Sequence, residues 1–473
     1  MNWTIAIPEI VLAVSGMVIL MFGVLSRRDP SLPCNMLVLG ALLVTALLVI
    51  ATPDGHAYGG LFVVDAFSRF VKILILVGAG IALMLSLDYN RHEGLARFEF
   101  PLLILFSVVG MMVMVSAANL MTLFLGLELQ LISLYVAAAF NRDSLRSSEA
   151  ALKYFVLGSL ATGLLLYGVS LVYGFAGSTS FAALGAALRA PGGVSPGLVV
   201  GVVFVIAGLV FEVSAVPFHM WTPDVYEGAP TPVTTFIGAA PKVAGMALLL
   251  RTMATPFGQL SMDWRLLIEL VSIGSMVLGA LAAISQTNFK RLMAYSSIGH
   301  MGYALIGLAA GTENGLRGTL IYLVVYVFMF LGMFAGIIAM RRRGRAFEQI
   351  SDLSGLARTD PGLALAFAVF LFSMAGIPPL SGFFGKLYVF LAAVQAGMWI
   401  LAVIGVLTSV VGAYYYLNIV RAMYMNAPAA PIDRRTPMVS FVAAATGLFT
   451  TFFFLFSGPI VAAAQTAAQV LFG

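Results

Sequence analysis

Apolar runs close to the ~20 residues needed to cross the hydrocarbon of a bilayer follow one another along the whole chain, separated by short polar connections. They predict about fourteen spans, over 4–26, 34–52, 65–88, 99–117, 119–140, 150–174, 197–221, 231–252, 264–286, 291–310, 316–340, 361–378 running on to 395, 397–424 and 437–457. The first run lacks a basic leader and is too long for a signal peptide, so it reads as a span. The stretch 175–196 reads as an external connection with one short helix. The polar interruption RRRGRAFEQISDLSGLARTDPG at 341–362 reads as a solvated loop with a short surface helix. The expected fold is an all-α polytopic membrane protein, with no separate soluble domain.

Two runs carry proline in mid-span: GLVFEVSAVPFHMWTPDVYEGAP around Pro217 and FLFSMAGIPPLSGFFGKLYVF around Pro378 and Pro379. Proline removes a backbone hydrogen bond and breaks or kinks a helix. In lipid, the freed carbonyls survive only where protein or a water-filled cavity satisfies them. Matching interruptions in two halves of a chain point to inverted repeats. Spans four to eight and nine to thirteen would form two inverted five-helix repeats, an odd number that turns the second copy over. The expected organisation is helices one to three over 1–98, a first repeat over 99–255, a second over 264–424 and a last helix over 437–473.

Composition agrees with this class. Charged residues are 10% of the chain, against roughly 25% in soluble domains. The net charge of +5 is explained by its placement, not by nucleic acid. The odd-numbered connections hold most of the Lys and Arg, from Arg27 and Arg28 to Arg434 and Arg435, while the even ones hold Arg189, Arg251, Arg265 and Arg317. The positive-inside rule puts the odd connections in the cytoplasm and both termini on the outer face of the bacterial inner membrane. The single cysteine, Cys34, excludes an intrachain disulfide and a cysteine-ligated cluster, and the four histidines show no metal-ligand spacing. No dinucleotide fingerprint, P-loop or nucleophile elbow is present. Energy must come from another subunit or from an ion gradient.

The candidate chemistry lies in the ionisable residues stranded in these runs. A charge at the bilayer centre costs at least about 2.5–3.5 kcal/mol and marks ion or proton paths by default. Lys242, Lys386, which follows the Pro378–Pro379 break, Glu128 and Glu212 are such residues. An amine in a low-dielectric interior is held near the point where it both gains and loses a proton, and a nearby carboxylate restores its charge. At about 4 Å and an effective dielectric of 20 that coupling is about 4 kcal/mol, enough to drive a proton against a potential costing about 2.3 kcal/mol per 100 mV. Lys242 and Lys386 read as proton carriers and Glu128 as a carboxyl that modulates them. Glu212 either shares a proton with Glu128 or pairs with Lys242. His219, beside the Pro217 break, reads as a relay or as a cap on freed carbonyls. His300 reads as a bridge between half-channels or as packed, neutral imidazole. Asp224 and Glu227 read as a solvated turn with a weaker claim to a cytoplasmic entry, Lys290 and Arg291 as topological charges. Asp65, Arg69 and Lys72 are spaced to share one helical face and read as an interfacial network.

Three stretches carry a resemblance: VPFHMWTPDVYEGAPTPVTTF (216–236), SQTNFKRLMAYSSIGHMGYALIG (285–307) and GIPPLSGFFGKLYVF (376–390). The chain resembles, over essentially its whole length, the antiporter-like membrane subunits of proton-pumping NADH:quinone oxidoreductase, respiratory complex I. Among these it is similar to the N type, the counterpart of mitochondrial subunit 2. It reads FIGAAPKVAG where the L and M types have a histidine-rich stretch. The resemblance implies a charged axis in which Glu128, Lys242 and Lys386 match three family positions. At a fourth, where the family has lysine, this chain has Glu212. It also implies a subunit of a translocating enzyme with no redox centre of its own, moving protons outward through the Glu/Lys axis. Flavin and iron–sulfur clusters would reside in partner subunits, quinone would be reduced elsewhere, and M- and K-type subunits would be neighbours, with the L type farther along the arm and the NADH-oxidising arm beyond. Two other readings stay open: a Mrp-type cation/proton antiporter subunit, and a non-pumping scaffold of the arm.

Overall fold

A computed structural model describes residues 3–190 and 194–472. The first two residues, the last one, and 191–193 of the expected external connection lie outside the described residues. After a short 3-10 turn the chain forms α1 (Ile7–Leu25), α2 (Ser31–Ala51) and α3 (Ala66–His92), then α4 (Glu99–Val115), α5 (Leu120–Ala138) and α6 (Leu145–Ala176). The short α7 (Phe181–Arg189) lies in the expected external connection and precedes α8 (Pro196–Glu212) and α9 (Trp221–Gly228), which flank the Pro217 break. Next come α10 (Thr231–Ile237), α11 (Ala240–Ala254), α12 (Ser261–Ile284), α13 (Phe289–Ala310) and α14 (Glu313–Ala339). A two-stranded hairpin (Arg341–Arg342 with Arg345–Ala346) and α15 (Leu356–Thr359) occupy the polar interruption. The chain closes with α16 (Pro361–Ala375) and α17 (Ser381–Gln395) around the second break, α18 (Trp399–Met425) and α19 (Pro437–Phe472).

Among the described residues, ten helical stretches are long and apolar enough to cross a membrane, and α4, α8 and α16 are shorter apolar helices. Two details differ from the expected spans. The eighth is interrupted at Gly238 and Ala239 between α10 and α11. Pro241, in the first turn of α11, has no N–H to give and would clash with the carbonyl four residues back, so the helix restarts there. The last helix runs past 457 to Phe472 with Pro459 inside it.

The layout is a packed centre inside a lipid-facing shell. The α10–α11 stretch is 100% buried and α14 94%, whereas the apolar windows of α1, α2, α6, α18 and α19 are 33–39% buried. The outer helices turn Leu47, Leu160, Val410 and Phe456 outward, the apolar exposure that a membrane or partner subunit covers. The halves also repeat a packing detail. A Cβ on Gly110 of α4 would meet the backbone of Gly126 and Gln130 on α5, and one on Gly279 of α12 would meet Tyr295 and Gly299 on α13, at the same sequence offsets. Asn119 and Asn288 cap α5 and α13. Each also forms an isolated bridge to the segment after the following helix, Ser180 and Gln349.

Asp65, Arg69 and Lys72 do not form the expected common network. Asp65 caps α3 at Ser68 and accepts two hydrogen bonds from Arg251 Nη2, at 2.8 and 2.9 Å. Arg69 reaches out to Asp54, and Lys72 turns inward to Glu9 on α1 at 2.6 Å. Helical spacing placed the three on one face; each nevertheless found its counter-charge on a different neighbouring segment. Arg251 is thereby a buried structural charge and not a loop charge. Removing one partner of such a pair leaves a buried, uncompensated ion, which costs about 3–5 kcal/mol. Asp65→Ala is therefore expected to lower the thermal unfolding midpoint of the detergent-purified protein sharply, whereas Asp54→Ala, whose carboxylate is exposed, is expected to leave it nearly unchanged.

Candidate proton-transfer site

Each helix break ends in carbonyls without a helical partner, and at each break a lysine ammonium occupies that gap. Lys242, on the first turn of α11 and wholly buried, donates to the Val213 carbonyl at 2.9 Å, just past the end of α8. Its ammonium also lies 5.4 Å from the centroid of the Trp221 ring. Lys386, on α17, donates to the Met374 and Ala375 carbonyls at 2.9 and 3.1 Å, where α16 stops, and to Ser409 Oγ at 2.7 Å. Its ammonium lies 4.9 Å from the Tyr303 ring centroid. Gly376 makes this fit possible: its φ of +89° turns the chain out of α16, and a Cβ there would sit 3.1 Å from Lys386 Cδ. Lys386 is 6% exposed, so it does not snorkel.

The two carboxylates part company. Glu212 is buried at the end of α8 and accepts a hydrogen bond from Gln130 Nε2. Among the described residues it closes no direct ion pair with Lys242 or with any other cation. Its side chain crosses α11 at Gly245, where a Cβ would sit 2.6 Å from Glu212 Cγ, one helical turn beyond Lys242. Glu128 is half-buried on α5, beside the outward-facing Leu125 and Leu129, and makes no hydrogen bond or ion pair among the described residues. His219 lies half-buried in the Pro217 break; its Nδ1 has no partner and the ring interacts with the Pro217 backbone. Val216–Pro217 and Pro378–Pro379 are both cis.

Between the lysines runs one polar face of α13. His300 Nδ1 lies 2.6 Å from Tyr322 Oη and Nε2 lies 3.2 Å from Tyr416 Oη. Tyr416 also hydrogen-bonds Ser296. Ser297 meets Tyr326 Oη at 2.7 Å, and Tyr326 donates to the Gly238 carbonyl ahead of α11 at 2.9 Å. Lys386, His300, Tyr303 and Tyr416 share one cavity. Every hydroxyl and imidazole here can both donate and accept, which is what a proton needs to be handed along. Gln130, Ser296, Ser297, Tyr322, Tyr326, Ser409 and Tyr416 were absent from the sequence-based candidates. The available signal was position: Gln130 is two residues from Glu128, Ser296 and Ser297 precede His300 by one turn, and Tyr322 and Tyr326 are one turn apart.

Asp224, Glu227, Lys290 and Arg291 are neither a free turn nor purely topological. Arg291 binds Asp224 at 2.6 Å and Glu227 at 3.0 Å, Lys153 binds Asp224 at 2.7 Å, and Arg146 binds Glu227 at 2.7 Å. Lys290, buried, donates to the Ala229 carbonyl and to Glu348. This clasp joins α6, α9, α13 and the segment after the hairpin. Burial alone would raise the Asp224 and Glu348 carboxyls. The Lys153 and Arg291 hydrogen bonds outweigh it at Asp224, and Lys290, Asn288 and Arg146 outweigh it at Glu348, so both titrate below the usual carboxylate range.

The fold and these buried amines define an antiporter-like transmembrane protein. The model of the NADH:quinone oxidoreductase/Mrp antiporter transmembrane family matches residues 117–412, and the chain belongs to that family. It is 64% identical to NADH-quinone oxidoreductase subunit N of Granulibacter bethesdensis, covering 100% of both chains. A chain in the structure of respiratory complex I from Thermus thermophilus with bound aureothin superposes with a TM-score of 0.83 at 33% identity, over 97% of this chain and 99% of that one. A chain of the Mrp complex from Dietzia superposes with a TM-score of 0.89 at 22% identity, over 100% and 98%; that likeness shows the fold alone.

A carboxylate whose folded pKa lies below its unfolded value stabilises the fold above the unfolded value, and that stability is lost as pH falls through the folded one. The clasp is thus expected to hold from neutral pH down to about 5 and to open below about 4, under the ordinary carboxylate range. Hydrogen exchange of residues 341–350 in the solubilised protein, corrected for intrinsic rates, checks this by staying flat and then rising.

Proposed function

We propose that this chain is the N-type, proton-translocating membrane subunit of an NADH:quinone oxidoreductase. It moves protons outward across the bacterial inner membrane while partner subunits carry out the redox chemistry. The observation that carries the reading is the pair of buried amines, Lys242 and Lys386, each held on carbonyls at a helix break. The hydroxyl- and imidazole-bearing face of α13 lies between them. Full-length likeness to proteins named as subunit N favours it over a Mrp-type antiporter.

Lys242 loads a proton in the first half of the axis, with Glu212 as the carboxyl that modulates it. His300 and its tyrosines pass the proton on, and Lys386 releases it on the outlet side. Glu128, open on the outer face of α5, tunes the field there, and His219 serves the Pro217 break. The equal glycine offsets in α4–α5 and α12–α13, and the Asn119 and Asn288 caps, support two inverted repeats over 99–255 and 264–424. We read fourteen spans, both termini on the outer face, and M- and K-type subunits as neighbours. Flavin and iron–sulfur clusters belong to the peripheral arm, and quinone is reduced outside this chain.

In the assembled oxidoreductase, Lys242→Ala and Lys386→Ala are each expected to lower proton-coupled quinone reduction at least about tenfold, toward the 10²-fold typical for loss of a positioned proton carrier. NADH oxidation by an artificial electron acceptor should be unaffected. Wild-type proton uptake per electron in either variant would overturn the proposal. Sodium-dependent proton flux by the isolated chain, without NADH-oxidising partners in its purification, would select the antiporter reading.

A further inference from the structure

We propose that Gln130 is a positioning residue for the Glu212 carboxyl and holds it in both of its protonation states. The inference rests on the reading of Glu212 as part of the proton path. Gln130 and Glu212 are 0% and 3% exposed. Gln130 Nε2 donates to Glu212 Oε1, while Gln130 Oε1 is buried and has no partner among the described residues. The elements that carry them are closely packed. A Cβ on Gly110 would come within 2.5 Å of the Gln130 backbone nitrogen, and one on Gly245 would overlap Glu212 Cγ. α4 therefore packs against the backbone at Gln130 and α11 against the Glu212 side chain, which fixes where the amide and the carboxyl meet.

An amide carries donor and acceptor on one pivot. Facing a carboxylate, Gln130 donates through Nε2. When a proton arrives on Glu212, the new O–H needs an acceptor, and half a turn of the amide brings Oε1 to it. No covalent bond of Gln130 changes: the proton reaches Glu212 from a neighbouring carrier, leaves by the same oxygen, and the amide only follows. A buried polar atom left unpaired costs about 1–3 kcal/mol, so a partner able only to donate would disfavour the protonated carboxyl. The ionisable groups that face Glu212 are Lys242 from α11, Glu128 and Tyr135 from α5, and Tyr154 from α6. The two tyrosine hydroxyls can also donate and accept, but Gln130 is the side chain that hydrogen-bonds the carboxyl.

The test uses the assembled oxidoreductase in native membranes. Gln130→Met, which keeps the length and removes the hydrogen bond, is expected to reduce proton-coupled turnover about tenfold, the factor one hydrogen bond to a charged group is worth. Gln130→His, which keeps a donor and an acceptor, should recover much of that loss and stands in if the methionine variant does not assemble. In a Glu212→Gln background, Gln130→Met should cost nothing more. The carboxyl stretching band that disappears from the infrared difference spectrum in Glu212→Gln should shift in Gln130→Met. Losses that multiply in the double variant, or an unmoved band, overturn the role of Gln130 while leaving Glu212 in place. A wild-type rate in Glu212→Gln overturns the underlying reading of Glu212, and the role of Gln130 with it.

Discussion

The rest of the structure is arranged around one constraint: an ammonium group inside a low-dielectric bundle must be met by oxygen atoms, and a regular helix has none to spare. Backbone carbonyls are used up in the helical ladder, so both amines are met where a proline interrupts a helix. Val213 at one break, and Met374 and Ala375 at the other, turn their oxygens toward Lys242 and Lys386. The prolines and the positive φ of Gly376 create acceptors without adding negative charge. An amine held by neutral carbonyls can lose its proton without leaving an unpaired carboxylate behind.

The halves solve the problem with different side chains. In the first, the lysine comes from α11, beyond α9 and α10; in the second it comes from α17, directly after the break. The first half also carries a carboxyl, Glu212, close to its amine, whereas Lys386 is surrounded by neutral groups: Ser409, Tyr303 and the nearby hydroxyl–imidazole set of α13. Lys242 therefore has a carboxyl in its surroundings, and Lys386 has dipolar groups. The ion pairs around Arg291 and Lys290 tie α9 to α13, fixing the segment that leads from the first break to α11.

Much of this was legible in the chain. Apolar runs of membrane length, the two proline breaks, and the charges between them gave the fold class and both lysines, because an uncompensated cost in lipid marks such residues wherever they occur. The short helices at 181–189 and 356–359 fell where the loops allowed them. Pairings were not legible. Asp65, Arg69 and Lys72 share a helical face by spacing, yet their partners Arg251, Asp54 and Glu9 come from three other segments. Glu128 and Lys242 are the partners the sequence offers for Glu212, but Gln130, two residues along from Glu128, is the side chain that hydrogen-bonds it. A rotation of about 100° per residue, from 3.6 residues per turn, separates a core-facing position from one two steps away, and the sequence does not say which of the few polar positions on a largely apolar helix faces inward.

The sequence by itself determined that this is a bundle of membrane helices with amines buried near two fractures, since hydropathy, proline and net charge act locally and need no knowledge of neighbours. Only the tertiary structure decided which carbonyl, carboxyl or hydroxyl each amine meets. Those contacts join residues far apart in the chain, and their geometry depends on how helices rotate and approach. Where glycines let backbones nearly touch, at Gly110 and Gly279, or let the Glu212 side chain lie across a helix, at Gly245, the absence of a side chain, not the presence of one, set how the helices approach.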